Sequence, residues 1–302
     1  MNRVAAAVVA LALALGSSAA HAVFVDDSRN LIPFEQTDAW AMAYVASATL
    51  MSGFGETPEL ESGAWALSAE GGHIPRLSRA DQRVGLAGSK LEDLNKAPLF
   101  GRARLWLGLP YGLVAEIGYT PPLRIGGATP RDLFAIALAR RVLERERWSL
   151  SARVHGQLGT VGGDITCPRD IAASTDPDVN PFQCLAPSDD RIDLNQQGVE
   201  FTAAWRDRAA RWRTHATLGA AHFEPRVQID AQQRFVRNLS VLISSGTRPY
   251  LALGLTRASD SRWQWAGEVL YVPLDVRRPN RAPANEPFWS LRLMLSRRFA
   301  RD

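Results

Sequence analysis

Beyond its N-terminal stretch the chain has no apolar run of the ~18 residues that a membrane-spanning helix requires, which excludes such a helix there. Cysteine is nearly absent, with only Cys167 and Cys184. No CxxC and no nearby histidine pair completes a set of four ligands, so no metal site and no cofactor is expected. Two cysteines 17 positions apart in an exported chain read instead as one disulfide. Basic residues are spread along the chain, its net charge is only +4, and no basic patch is interleaved with aromatics. Nucleic acid is therefore not an expected partner. No low-complexity linker separates two apolar halves, which favours one domain.

What is present begins with an address. MNRVAAAVVALALALGSSAAHA carries one Arg, an apolar run from Val4 to Leu15, and small residues ending in Ala20-His21-Ala22. This reads as a secretory signal peptide, residues 1–22, cleaved after Ala22.

The rest is organised by period-2 alternation. In Trp148–Leu158, Trp148, Leu150, Ala152, Val154 and Leu158 fall on one side. Ser149, Ser151, Arg153, His155 and Gln157 fall on the other, as on the two faces of a β-strand. About ten segments repeat the pattern at the ~10-residue length of a tilted membrane strand. The others are Ser62–Gly72, Phe100–Leu109, Leu113–Thr120, Asp132–Val142, Gly198–Arg206, Arg211–Phe223, Tyr250–Arg257, Arg262–Val272 and Phe288–Phe299. Connections after even strands are short and most after odd strands are long, with Val161–Asn195 and Glu224–Pro249 read as loops. Tyr111, Trp148, Trp205, Trp212 and Trp263 flank the short turns, and Tyr119, Tyr271 and Trp289 lie at the opposite ends, as two interfacial belts would. The expected fold is all-β: a single antiparallel up-and-down transmembrane barrel over 62–299, in the bacterial outer membrane. Expected partners are outer-membrane lipid and the barrel-insertion machinery that reads the last strand. That strand ends on Phe299, followed by Ala300, Arg301 and Asp302.

With apolar faces toward lipid, the lumen is lined by Arg102, Arg104, Glu116, Arg153, His155, Glu200, Arg206, Arg213, His215, Arg262, Glu268 and Arg292, with Glu70 among the facing acids. Arg exceeds Glu in this set, so a wetted lumen would favour a small anionic solute. Replacing Leu293 or Val154 by Arg should be costly, and Ser151 by Arg much less so.

Residues 23–61 do not alternate cleanly and form an N-terminal periplasmic or lumenal segment. Within it 37–53 reads as a short helix, with Thr37 or Asp38 to cap it and Gly53 to stop it. Trp40, Tyr44, Ser47 and Met51 draw one stripe along it, while Ala43–Leu50 keeps an extra strand open as an alternative. The segment is expected at the periplasmic mouth as a plug, anchored by Trp40 or Tyr44.

The runs VGLAGSKLEDLNKAPLFGR, GLPYGL, GYTPP and GDITCP resemble a family of uncharacterised proteobacterial outer-membrane barrel proteins, over most of the mature chain. The resemblance implies an exported single-domain barrel and no activity. The expected function is a narrow, porin-like channel or small-ligand transport protein, with a closed structural or surface-interaction barrel as the alternative. Ten strands is also the count in the omptin surface proteases, so a rim-site hydrolase is a third reading. Asp164, Asp189, Asp190, Asp193, His73 and His222 stand at the rim, but no Asp-His dipeptide occurs. Ser151 and His155 are about 13 Å apart along an extended strand.

Overall fold

The computed structural model describes residues 24–207, 211–258 and 262–299; the signal-peptide stretch 1–22 lies outside them. Ten strands build the wall. They are β1 (Trp65–His73), β2 (Leu99–Gly108), β3 (Leu113–Thr120), β4 (Thr129–Glu144) and β5 (Trp148–Gly163), then β6 (Asp190–Arg206), β7 (Trp212–Gln228), β8 (Gly246–Ala258), β9 (Trp263–Val272) and β10 (Phe288–Phe299). Each pairs antiparallel with its sequence neighbour, and β10 pairs with β1 from Arg292↔Gly72 to Phe299↔Trp65. The sheet closes on itself as a barrel.

The two faces are as the alternation reads. On β1, Trp65, Leu67 and Ala69 are exposed while Ala66, Ser68 and Glu70 are buried. On β10, Leu291 and Leu293 face out, and Ser290 and Arg292 are buried. Strand ends differ from the reading. β4 to β7 are 16 or 17 residues long and continue beyond the apolar band at the long-loop end. Val161–Gly163, Asp190–Asn195 and Glu224–Gln228 belong to the wall and not to loops. Past the membrane a strand no longer needs apolar residues on one face, so its period disappears while its pairing continues.

The N-terminal segment is the main departure. Phe24–Asp26 pairs in parallel with Val236–Asn238, and Arg29–Leu31 with Val241–Ile243, both at the long-loop end. The chain then enters helix α1 (Thr37–Ala48). The helix therefore caps the long-loop mouth, not the short-turn mouth where the sequence placed it. Trp40 donates from Nε1 to the Glu286 carbonyl (3.0 Å) and Tyr44 from its hydroxyl to the Pro75 carbonyl (2.9 Å). Nearly every residue of α1 is buried, so it has no polar face for a stripe to mark. Its N-cap is Gln36 and its C-cap Thr49, in place of Thr37 or Asp38 and Gly53. Burial pushes the Asp38 carboxyl up from its ordinary value, against hydrogen bonds from Gln36, Ala87 and Thr37.

From Thr49 the chain runs down the lumen, bending at Phe54 and Gly55, and reaches β1 at the short-turn end. Gly53 is glycine because a Cβ there would meet Glu200 Oε1 at 2.7 Å. Ser151 Oγ accepts the Thr57 N–H (3.0 Å), so the threaded chain leaves no space for a larger residue at that position.

Two features brace the long loops. Cys167 and Cys184 form a disulfide in the β5–β6 loop, with Cα atoms 5.8 Å apart. In the β1–β2 loop Lys90 Nζ donates to Glu92 (2.8 Å) and to the Thr166 carbonyl (2.8 Å). Burial raises the Glu92 carboxyl to about 7, partly offset by Lys90. A carboxyl whose folded pKa is raised resists ionisation, so stability is lost as pH climbs from its ordinary value through about 7. Hydrogen exchange of residues 82–94, corrected for intrinsic rates, is expected to quicken from about pH 5 to about pH 8. Glu92→Gln is expected to abolish that dependence, and a dependence surviving it would assign the effect elsewhere.

Candidate functional site

The lumen is built around backbone carbonyls. The last turn of α1 and the residues after it leave a row of carbonyls without helical partners. Wall arginines take them in succession. Arg292 donates to the carbonyls of Ser47 (3.0 Å), Ala48 (3.2 Å) and Leu50. Arg102 donates to Thr49 (2.6 Å), Arg153 to Met51 (2.7 Å) and Arg104 to Ser52 (2.7 Å). Cations at a helix C-terminus also meet the negative end of its dipole.

The same arginines are paired with wall carboxylates. Arg104 Nε donates to Glu70 Oε2 (2.6 Å) and its Nη1 to Glu116 Oε1 (2.8 Å). Arg153 donates to Glu116 Oε2 (2.8 Å) and Glu200 Oε1 (3.2 Å). Glu268 accepts from the Ser52 hydroxyl, and Tyr250 donates to Glu200 Oε2 (2.7 Å). His155 Nε2 is 3.0 Å from the Tyr250 hydroxyl, and His215 Nε2 is 3.8 Å from Glu268. Arg102, Arg104, Arg153 and Arg292 thus stand against Glu70, Glu116, Glu200 and Glu268, all buried. Buried charges need such partners, since each alone would be strongly destabilising.

Arg206 and Arg213 lie at the short-turn end, where Glu56 and Glu59 of the threaded segment meet them together with Arg141. Arg262 does not line the lumen. It is exposed, preceding β9 in the turn, so the parity that puts residues of β9 inside no longer acts on it. The Arg excess disappears because its counter-charges come from the N-terminal segment, which the strand pattern leaves out. Tyr250 was missed as a lumen group although its parity matches Ala252, whereas Gln157, read on the inward face of β5, accepts from Arg102 there (2.6 Å). Among the rim residues, Asp190 accepts the N–H groups of Ile165 (3.0 Å) and Thr166 (2.6 Å) and braces a loop. Ser151 and His155 have different partners and make no nucleophile pair.

A second feature passes through the wall. β3 ends at Thr120 because Pro121 and Pro122 follow, and proline has no N–H to continue a ladder. β2 pairs with β3 only from Ala103↔Tyr119 to Gly108↔Val114, whereas its pairing with β1 continues to His73↔Leu99. Leu99–Arg102 is thus bonded on one side and leaves a notch beside β4. The β3–β4 loop borders it, held by the Gly127 N–H on the Lys96 carbonyl (2.7 Å). Behind the notch lies a cavity of about 340 Å³. It touches the outward residues Ala69, Leu99, Gly101 and Ala103 and the inward residues Glu70, Phe100 and Arg102. Tyr44, Val45 and Ala48 of α1 form its floor, and its lining is overwhelmingly apolar. Its volume falls in the range of small-molecule sites.

No protein-family model matches the chain, and no curated protein is similar to it in sequence. Solved structures with a related chain path are bacterial outer-membrane proteins. An outer membrane channel from Pseudomonas putida F1 shares 14% identity over 83% of this chain and 100% of its own, at a TM-score of 0.40. The outer membrane protease OmpT of Escherichia coli shares 8% over 78% of this chain and 94% of its own, at 0.37. The attachment invasion locus protein Ail of Yersinia pestis shares 10% over 80% of this chain and 100% of its own, at 0.31. Likeness of this size says nothing of activity or ligand.

Proposed function

We propose that this chain is an outer-membrane barrel that does not conduct along its axis but admits small apolar molecules sideways, through the wall beside β3. One observation carries the reading. The apolar cavity of about 340 Å³ contacts both faces of β2, while the axial lumen is occupied by residues 49–58 and their clamps. The exposed apolar outer face supports a lipid setting. Export by residues 1–22 and membership of the uncharacterised family are parts of the same proposal. An anionic solute is not, because the buried charges balance.

The test uses the protein in lipid nanodiscs with a naphthylamine dye that brightens in apolar surroundings. Gly101 faces outward, and a Cβ there would meet only the Glu70 carbonyl oxygen of β1, at 3.7 Å. Gly101→Trp therefore closes the notch without disturbing the wall. Saturable binding near one dye per barrel, weakened at least about tenfold (~1.4 kcal/mol) by Gly101→Trp, is the expected result. Equal binding by both proteins would remove the cavity from the account.

A further inference from the structure

The wall cavity is lined on its inward side by polar residues that carry groups left over from the lumen network. Glu70, Arg102 and Thr120 line this side and are 5%, 3% and 4% exposed. Glu70 Oε2 is taken by Arg104, but Glu70 Oε1 accepts no hydrogen bond among the described residues; Arg292 Nη1 is 3.9 Å away. Arg102 spends Nη2 on Thr49 and Gln157, and among the described residues its Nη1 has no acceptor, with Glu70 Oε2 at 3.9 Å. Thr120 Oγ1 is likewise without a partner among the described residues. One buried acceptor, one cationic donor and one hydroxyl therefore stand on the inward side of an apolar chamber. A buried polar group left unpaired is costly, so a ligand that pairs them is favoured over one that does not.

We infer that the cavity takes a single-chain neutral amphiphile, an aliphatic tail ending in a hydroxyl or amide that both donates and accepts. The inference rests on the wall-cavity reading. The tail occupies the space between Phe100, the β3–β4 loop and α1. The head accepts from Arg102 Nη1 or Thr120 and donates to Glu70 Oε1. Charge decides against the ionic alternatives. Arg102, Arg104, Arg153 and Arg292 already balance Glu70, Glu116, Glu200 and Glu268. A carboxylate head would bury an unmatched anion beside Glu70, and an ammonium head an unmatched cation beside Arg102.

Displacement of the naphthylamine dye from nanodisc-held protein tests this, with decane, decanol and decanoate as competitors at equal membrane concentration. Decanol is expected to displace the dye at least about tenfold more effectively than decane, with decanoate no better than decane. Thr120→Val, close to isosteric, is expected to shrink the decanol-to-decane ratio several-fold while leaving decane unchanged. Arg102→Gln shrinks it too, but that variant also loosens a clamp on Thr49, so Thr120→Val is the deciding one. Equal displacement by decane and decanol in the unaltered protein would overturn the head-group inference and leave the cavity standing. Decanoate as the strongest competitor would overturn the charge argument. No dye binding at all would overturn the cavity reading, and the inference with it.

Discussion

A chain lacking residues 24–61 will conduct ions in planar bilayers, with resolved steps where the intact protein gives none. The wall strands pair without that segment, from β1 through β10, so the barrel keeps its ladder. What is lost is the material in the lumen and the acceptors on which four arginines close. The conducting form will prefer anions, because of its short-turn end. Arg141, Arg206 and Arg213 there are matched by Glu56 and Glu59 of the segment and by Glu144 of the wall. Deletion removes the first two acids and leaves fixed positive charge around a wetted opening. The central network stays balanced and adds no preference. Conductance that remains at zero would mean that side chains alone fill the lumen.

Arginine on the lipid face will be the costliest surface change. Leu293 and Val154 are exposed on the outer face, and arginine at either is expected to cost ~2–4 kcal/mol near the midplane. Gln197→Arg supplies the comparison. It lies on the same outer face as Val199 and Phe201, where the residue is already polar, and should cost less. Urea unfolding from lipid vesicles reads the difference. Equal effects at Leu293 and Gln197 would mean that no hydrocarbon band surrounds the wall. Ser151→Arg, which strand alternation alone would make cheap, is expected to be damaging. The Thr57 backbone is bonded to Ser151, and an arginine cannot enter without displacing the threaded chain.

Much of the wall was legible in the sequence because a strand with lipid on one side must alternate. The in-or-out parity of Leu105, Arg104, Glu116 and Val154 follows from that constraint alone. Strand ends were not legible where β4 to β7 leave the membrane, since nothing there separates one face from the other. The plug was half legible. Its helix could be read from alanine content and length, but Trp40 and Tyr44 are buried together with their neighbours, so the apparent stripe carried no direction. The clamps on carbonyls 47–52 could not be read at all, because every residue has a carbonyl. The lumen charge was misjudged for a related reason: Glu56 and Glu59 lie in a segment with no period to assign them. The wall notch left one mark in the sequence, Pro121-Pro122 directly after an alternating strand. Two prolines there end β3 below the level that β2 and β4 reach.

Residues 49–58 lie inside the barrel, and everything said of the lumen depends on it. A cysteine pair reports it directly in outer membranes of intact cells, before any extraction. A Cβ built on Gly118 of β3 lies 3.1 Å from the Met51 sulfur. With Met51→Cys and Gly118→Cys, a short bis-thiol reagent is expected to join the two positions in most molecules, visible as a shift in migration, with neither thiol open to an aqueous maleimide. Failure to cross-link, with both thiols freely labelled by the maleimide, would place the segment outside the lumen and contradict the account.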